Sequence, residues 1–137
     1  MSTSIKSIIV GTGSFVPVNI ISNTDFLEQR FYEKNGEPIL RENSEVIQKF
    51  QDITEIEERR YANKEHMASD LGYFAALNAI ESSAIDPETL DYIIFAHNFG
   101  DVKKDAIQCD LMPSLASRVK HNLKIKNPKC VAYDMLF

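Results

Sequence analysis

The 137-residue sequence carries a formal net charge of −5, with 44% hydrophobic and 26% charged residues, an ordinary composition for one globular domain. That balance argues against a general nucleic-acid binder, which needs clustered positive charge to neutralise phosphates. No apolar run approaches the roughly 20 residues that span a bilayer, and the opening Met1-Ser2-Thr3-Ser4-Ile5-Lys6 lacks the regions of a secretory signal, so a cytoplasmic location without membrane association is expected.

In chain order, Ile5 to Val10 has strand composition and stops at Gly11-Thr12-Gly13, where two glycines permit a tight, closely packed turn. A dinucleotide fingerprint would need glycine at position 16 and a helix directly after it. Val16-Pro17 blocks both. Asn23 is a plausible cap for a helix through about Tyr32, with Phe26, Leu27 and Phe31 as its apolar stripe, before Asn35-Gly36-Glu37-Pro38 breaks the chain. A short helix from about Ser44 buries Val46, Ile47 and Phe50 and leads into Ile53 to Tyr61, which is charged but alternates like a strand.

The longest helix is predicted from about Ala68 to Ala84, with Leu71, Phe74, Ala75, Leu77 and Ala79 as a broad apolar face. Asp86-Pro87-Glu88 reads as a cap with proline at the first helical position, feeding a buried strand Tyr92 to Ala96. After a loop from His97 to Met112, Pro113-Ser114 starts a helix with Leu115, Val119 and Leu123 on one face. Asn127-Pro128 ends the connection, and Val131 to Phe137 forms a last strand with apolar residues on both faces that runs off the end of the chain with no turn or polar tail. This order implies right-handed crossovers and an α/β, mainly parallel mixed sheet with helices packed on it.

Few residues invite a chemical reading. Cys109 and Cys130 do not form a disulfide framework, and no metal-ligand spacing appears. His97 and Cys109 share a loop and suggest a base and thiolate oriented by Asn98, but Asp110 beside Cys109 disfavours the thiolate, and packing or loop polarity is the simpler reading. Cys130 reads as a small buried residue, and His66 and His121 as surface positions. Arg59-Arg60 after Glu57-Glu58 reads either as an exposed ion-pair cluster or as a holder of a phosphate or carboxylate near a pocket. Five basic residues against one acid between Leu111 and Phe137 give that stretch a net +4, either a solvated face or a landing surface for an acidic partner.

Several segments, in order, resemble the β-ketoacyl-acyl carrier protein synthase III family of thiolase-like condensing enzymes. Ile9 to Pro17 looks like the family's opening strand and Gly-x-Gly-x-x-x-Pro turn, and Ile53 to Arg60 resembles its Thr-Gly-Ile-x-x-Arg-Arg segment, with Glu55 in place of glycine. Ser69-Asp70-Leu71 resembles the start of its long helix, Asp86 to Ala96 its Asp-Pro turn and second core strand, and Ala132 to Phe137 the strand that runs into the nucleophilic cysteine.

The resemblance implies that residues 1–137 are the N-terminal portion of a thiolase-like domain, with the rest of the domain absent. The nucleophile is then expected at position 139, two residues after Phe137, with the catalytic histidine and asparagine also outside the chain. No catalytic residue is therefore assigned; His97, Asn98, Cys109 and Cys130 match none of the family's catalytic positions, and the chain alone is expected to be inactive.

For the complete protein the resemblance implies a decarboxylative Claisen condensation of an acyl thioester, carried on coenzyme A or acyl carrier protein, with malonyl-acyl carrier protein. It implies a homodimer, acyl carrier protein as partner, and no cofactor or metal. Met112 matches a family position that closes the partner subunit's acyl pocket, with core packing as the rival role. Lys49 and Ile53 stand where many members carry the tryptophan and arginine that grip coenzyme A, which makes a coenzyme A primer bound in the usual way doubtful, and Phe31 to Asn43 resembles an insertion over that entrance. Two other functions stay open: a thiolase-fold acyltransferase or hydrolase of different reaction, and a non-catalytic half-fold that binds a complete relative.

Overall fold

The computed structural model describes residues 6–103 and 107–136. The chain divides into two compact units, one formed by Pro17–Asn63 and the other by Met1–Val16 together with Lys64–Phe137.

In the Pro17–Asn63 unit, strand β1 (Asn19–Ser22) pairs antiparallel with β2 (Glu58–Tyr61), with Ile21 opposite Arg59. The helix expected from Asn23 to Tyr32 is only a 3₁₀ turn, Asn23–Phe26, entered through Ser22, whose N–H and hydroxyl both donate to Asp25. It stops because the following backbone bonds elsewhere. Phe31 accepts from the Ile39 N–H, Glu33 bonds to Glu37, and Gly36 turns the chain at φ +84°, a conformation that glycine adopts at little cost. The segment from 31 to 43 is thus a folded-back loop, tied down where the Asn43 amide donates to the carbonyls of Leu27 and Gln29.

Helix α1 (Asn43–Thr54) buries Val46 and ends at Glu55, which sits in the left-handed region at φ 56°. Glycine takes that conformation without the Cβ clash, which accounts for the glycine that the resembled motif carries there. The alternation read from Ile53 onward is realised only over the four residues of β2.

The second unit is built on helix α2 (Ala68–Ser83) and a parallel pair of strands, β3 (Tyr92–His97) and β6 (Val131–Leu136), in the register Phe95 to Asp134 and His97 to Leu136. Helix α3 (Leu115–Asn122) packs on this pair and on α2, and its Leu115, Ala116 and Val119 are fully buried. A small antiparallel pair, β4 (Asp101–Val102) and β5 (Cys109–Asp110), lies between β3 and α3 in sequence.

Three elements match the sequence reading closely. Helix α2 begins where the Asp70 carboxylate accepts the Met67 N–H, the Asp86 side chain caps the 3₁₀ turn Pro87–Thr89, and Ser114 caps α3 by accepting from the Ser117 N–H. A buried core histidine was not expected at position 66, yet His66 is half-buried with its ring edge-on to Phe15 and Phe74.

Two further expectations fail. Lys6 to Val10 form no strand ladder, and Ile8 and Ile9 are 82% and 87% exposed, because no described strand lies beside them; Ile5 is outside the described residues. What remains of the reading is the glycine turn. A Cβ on Gly11 would fall 2.5 Å from the Ser83 Cβ, and one on Gly13 would strike the Ala79 and Ala75 backbone, so both glycines let the chain lie directly on α2. The strands β3 and β6 are not buried on both faces either. Their exposure alternates, with Tyr92, Ile94, Tyr133 and Met135 open and Phe95, His97 and Asp134 turned inward, because α3 covers one face alone among the described residues.

Candidate functional site

Asp134 is the single charged residue in an otherwise apolar strand, and a carboxylate placed there needs donors. It finds three. Its Oδ2 accepts from the Leu115 N–H at 2.7 Å and from His97 Nε2 at 3.0 Å, and its Oδ1 accepts from the Ala116 N–H at 2.8 Å. The first two amides of α3 thereby lose their orphan status, and a negative charge sits at the positive end of the helix. Burial pushes the carboxyl up, but the Ala116 and Leu115 amides and the His97 imidazole outweigh it and hold Asp134 below its usual value.

His97 is only 6% exposed, and both ring nitrogens are committed: Nδ1 accepts from the Gly100 N–H at 2.9 Å, which leaves Nε2 to carry the proton toward Asp134. Gly100 makes this approach at φ +73°. The imidazole is a structural link with no free lone pair. It therefore cannot serve Cys109 as a base, and Cys109 is exposed on β5. Cys130 is buried at 3% exposure, as a small apolar residue.

Next to this link lies a second buried carboxylate. Asp101 is fully buried and accepts from the Ser69 N–H at 2.8 Å, the Ser69 hydroxyl at 2.6 Å and Arg118 Nη1 at 2.9 Å. The guanidinium fork of Arg118 continues outward. Nε donates to the Pro113 carbonyl at 2.9 Å, Nη2 to the Met112 carbonyl at 3.1 Å, and Nη2 also meets Asp110 at 3.0 Å. A rigid planar cation with every nitrogen occupied is well suited to fix a loop. The Arg118 contact is also the main cause that lowers Asp110 below its usual value.

The loop so fixed carries Met112, whose side chain is 80% exposed. It does not pack in the core formed by the described residues. Of the basic residues in this stretch, Arg118 is spent on this network, and Lys120 donates to the carbonyls of Asn127 and Cys130, anchoring the entry to β6; Lys124, Lys126 and Lys129 are exposed.

The two adjacent arginines of the other unit part company. Arg60 pairs with Glu58 at 2.9 Å on the surface, as the ion-pair reading expects. Arg59 instead donates to the Asn23 side chain at 2.9 Å, lies 5.7 Å from the Phe26 ring, and lines a cavity. Among the described residues no group of three or more metal-ligating side chains occurs, and no helix is long and apolar enough to cross a membrane.

The chain has relatives of known family. No protein-family model matches the chain. Over 127 residues it is 34% identical to a β-ketoacyl-[acyl-carrier-protein] synthase III of Vibrio vulnificus, covering 93% of this chain and 33% of that protein. The chain is a relative of the β-ketoacyl-[acyl-carrier-protein] synthase III family. A second member, from Clostridium acetobutylicum, is 37% identical over 122 residues, covering 89% of this chain and 31% of its own length. The crystal structure of 3-oxoacyl-[acyl-carrier-protein] synthase III from Aquifex aeolicus superposes with a TM-score of 0.67 at 27% identity, over 94% of this chain and 34% of that one. The fold is thiolase-like, and the chain spans about a third of the length of the relatives it matches.

Proposed function

We propose that this chain is the scaffold portion of a β-ketoacyl-acyl carrier protein synthase III-type acyltransferase, which condenses an acyl thioester with malonyl-acyl carrier protein in fatty-acid or related biosynthesis. The observation that carries the reading is the similarity to synthase III enzymes along 93% of the chain, joined to a parallel β3–β6 pair whose second strand is locked in place by Asp134. In the proposed enzyme β6 leads to a cysteine at position 139. A thiolate at a helix N-terminus is stabilised by the helix dipole, attacks the acyl thioester and expels the carrier thiol, while backbone N–H groups hold the oxyanion. A histidine and an asparagine further along the protein would assist loss of carbon dioxide from the malonyl group, and the resulting carbanion attacks the enzyme-bound acyl group, breaking its thioester bond and releasing the cysteine thiolate.

In this account the present residues supply no catalytic group. They position the strand beneath the nucleophile, and Met112, held outward by Arg118, contributes to the acyl pocket of the partner subunit in a homodimer. Acyl carrier protein is the proposed partner and acyl thioesters the substrates, with no cofactor. The test is release of carbon dioxide from malonyl-acyl carrier protein by the protein extended past Phe137, with none from the 137-residue chain; acyl transfer or hydrolysis without that release would assign a different reaction to the same fold.

A second reading is favoured by the apolar strip of Tyr92, Ile94, Val131, Tyr133 and Met135 along the open face of the parallel pair. Such a strip recruits a protein surface, and a non-catalytic chain could use it to bind a complete relative. Gel filtration of the chain mixed with a full-length synthase separates the readings, since stable capture of the synthase by a chain that gains no activity when extended past Phe137 fits only the second.

A further inference from the structure

Arg59 is a cation that the condensing-enzyme reading leaves without a task. In the Pro17–Asn63 unit it lines a cavity of about 210 Å³ whose other walls include Phe26, Phe31, Ile47, Phe50 and Tyr61. We infer that this cavity binds a small aryl carboxylate, its ring among Phe26, Phe31 and Phe50 and its carboxylate on the Arg59 guanidinium.

The charge argument comes first. One of the five N–H bonds of Arg59 goes to the Asn23 side-chain oxygen, and Asn23 is itself fixed because its amide donates to the Ile56 carbonyl at 2.8 Å. The remaining N–H bonds have no protein acceptor among the described residues, and no described carboxylate pairs with this guanidinium; the neighbouring Glu58 is engaged by Arg60. A part-buried cation without a counter-charge carries a desolvation cost that a bound anion relieves, and the planar fork suits a carboxylate in two-point contact.

Shape and wall chemistry narrow the class. Phe31 and Phe50 meet edge to face at 5.8 Å, and Arg59 lies over Phe26, so a flat ring seated beside them finds both ring edges and faces to pack against. An apolar cavity of roughly 150 Å³ holds benzene, so this one, at about 210 Å³, accommodates a single ring with its carboxylate. A lone cation balances a single negative charge, which favours a carboxylate over a doubly charged phosphate monoester. The inference does not depend on the condensing-enzyme reading.

The test is calorimetric titration of the 137-residue chain with benzoate, with the binding site mapped by amide chemical shifts. Saturable binding is expected, with shifts confined to Pro17–Asn63. Benzyl alcohol, the same ring without the charge, and the Arg59→Gln variant should each bind at least about tenfold more weakly, the scale of a lost charged hydrogen bond. Because Arg59→Gln also removes the tie to Asn23, Ile47→Trp serves as the second variant: it fills the cavity, leaves the Arg59 to Asn23 bond in place and should abolish binding while circular dichroism is unchanged. Absence of saturable benzoate binding, equal binding of benzyl alcohol, wild-type affinity in Ile47→Trp, or tighter binding of phenyl phosphate than of benzoate would each overturn the assignment.

Discussion

His97 on β3 and Asp134 on β6 are joined through Nε2 and Oδ2 at 3.0 Å, and the same carboxylate accepts the first two amides of α3. One side chain thus ties two parallel strands to a helix start. Asp134→Asn keeps the shape but loses the charge and half of the acceptor capacity, and should destabilise the fold by about 2–3 kcal/mol at neutral pH. Urea denaturation of both proteins measures it.

The pH dependence follows from the direction of the Asp134 shift. The folded value lies below the usual 3.8, so the unfolded chain takes up the proton first. The stabilisation is complete above the unfolded value and is lost as pH falls through the folded one. The stability gap between wild type and Asp134→Asn should therefore be constant from neutral pH down to about 5 and should narrow below about 4. A gap that widens on acidification would contradict the assigned bonding.

Arg118 and Asp101 should behave as one unit. Asp101→Ala leaves the guanidinium without its buried partner and should cost about 3–5 kcal/mol, whereas the double variant with Arg118→Ala should cost clearly less than the two single losses together. Thermal unfolding of the four proteins gives the coupling. Arg118→Ala should also raise the amide exchange rates of residues 110 to 112, because it releases the Met112 and Pro113 carbonyls and the Asp110 side chain.

Glu55 offers a gain. Left-handed backbone costs a non-glycine residue about 1–2 kcal/mol, and glycine returns part of this as unfolded-state entropy, so Glu55→Gly should stabilise the protein by roughly 0.5–1 kcal/mol. Gly13→Ala should do the reverse, by about 1–3 kcal/mol, because its methyl group strikes the backbone of α2.

Met112 is exposed and should tolerate substitution. Met112→Phe and Met112→Ala should each change stability by less than about 0.5 kcal/mol. In the proposed dimeric enzyme, by contrast, the larger side chain should favour shorter acyl thioesters and the smaller one longer ones, read from kcat/KM across a chain-length series.

The sequence made the framework of the second unit legible because its signals are local. Apolar spacing marks α2, Asp86-Pro87 and Pro113-Ser114 mark helix starts, and the runs at Tyr92 and Val131 mark the paired strands. The misses concern partners distant in the chain. Lys6 to Val10 has strand composition, but pairing requires a neighbour, and none of the described strands provides one. Asn23 looked like a helix cap because it is a capping residue type, while its side chain is drawn to Ile56 and Arg59, more than thirty positions away.

At the candidate site, the isolation of Cys109 was readable, but the Asp134 link was not drawn. A signal for it existed: an acid inside an apolar strand must find N–H donors, and the uncapped amides of the helix just upstream were available. Asp101 gave no such signal, since a charged residue following Gly100 reads as an ordinary loop.

The central claim is that this chain mounts a nucleophile carried just past Phe137. Its most direct test is to incubate the protein that continues beyond that residue with an acyl thioester and to map the acylated peptide by mass spectrometry. The account predicts acylation of a cysteine at position 139 and none on Cys109 or Cys130, with the 137-residue chain unlabelled. Acyl groups on Cys109 or Cys130, or a continuing protein with no thiol at position 139, would contradict it.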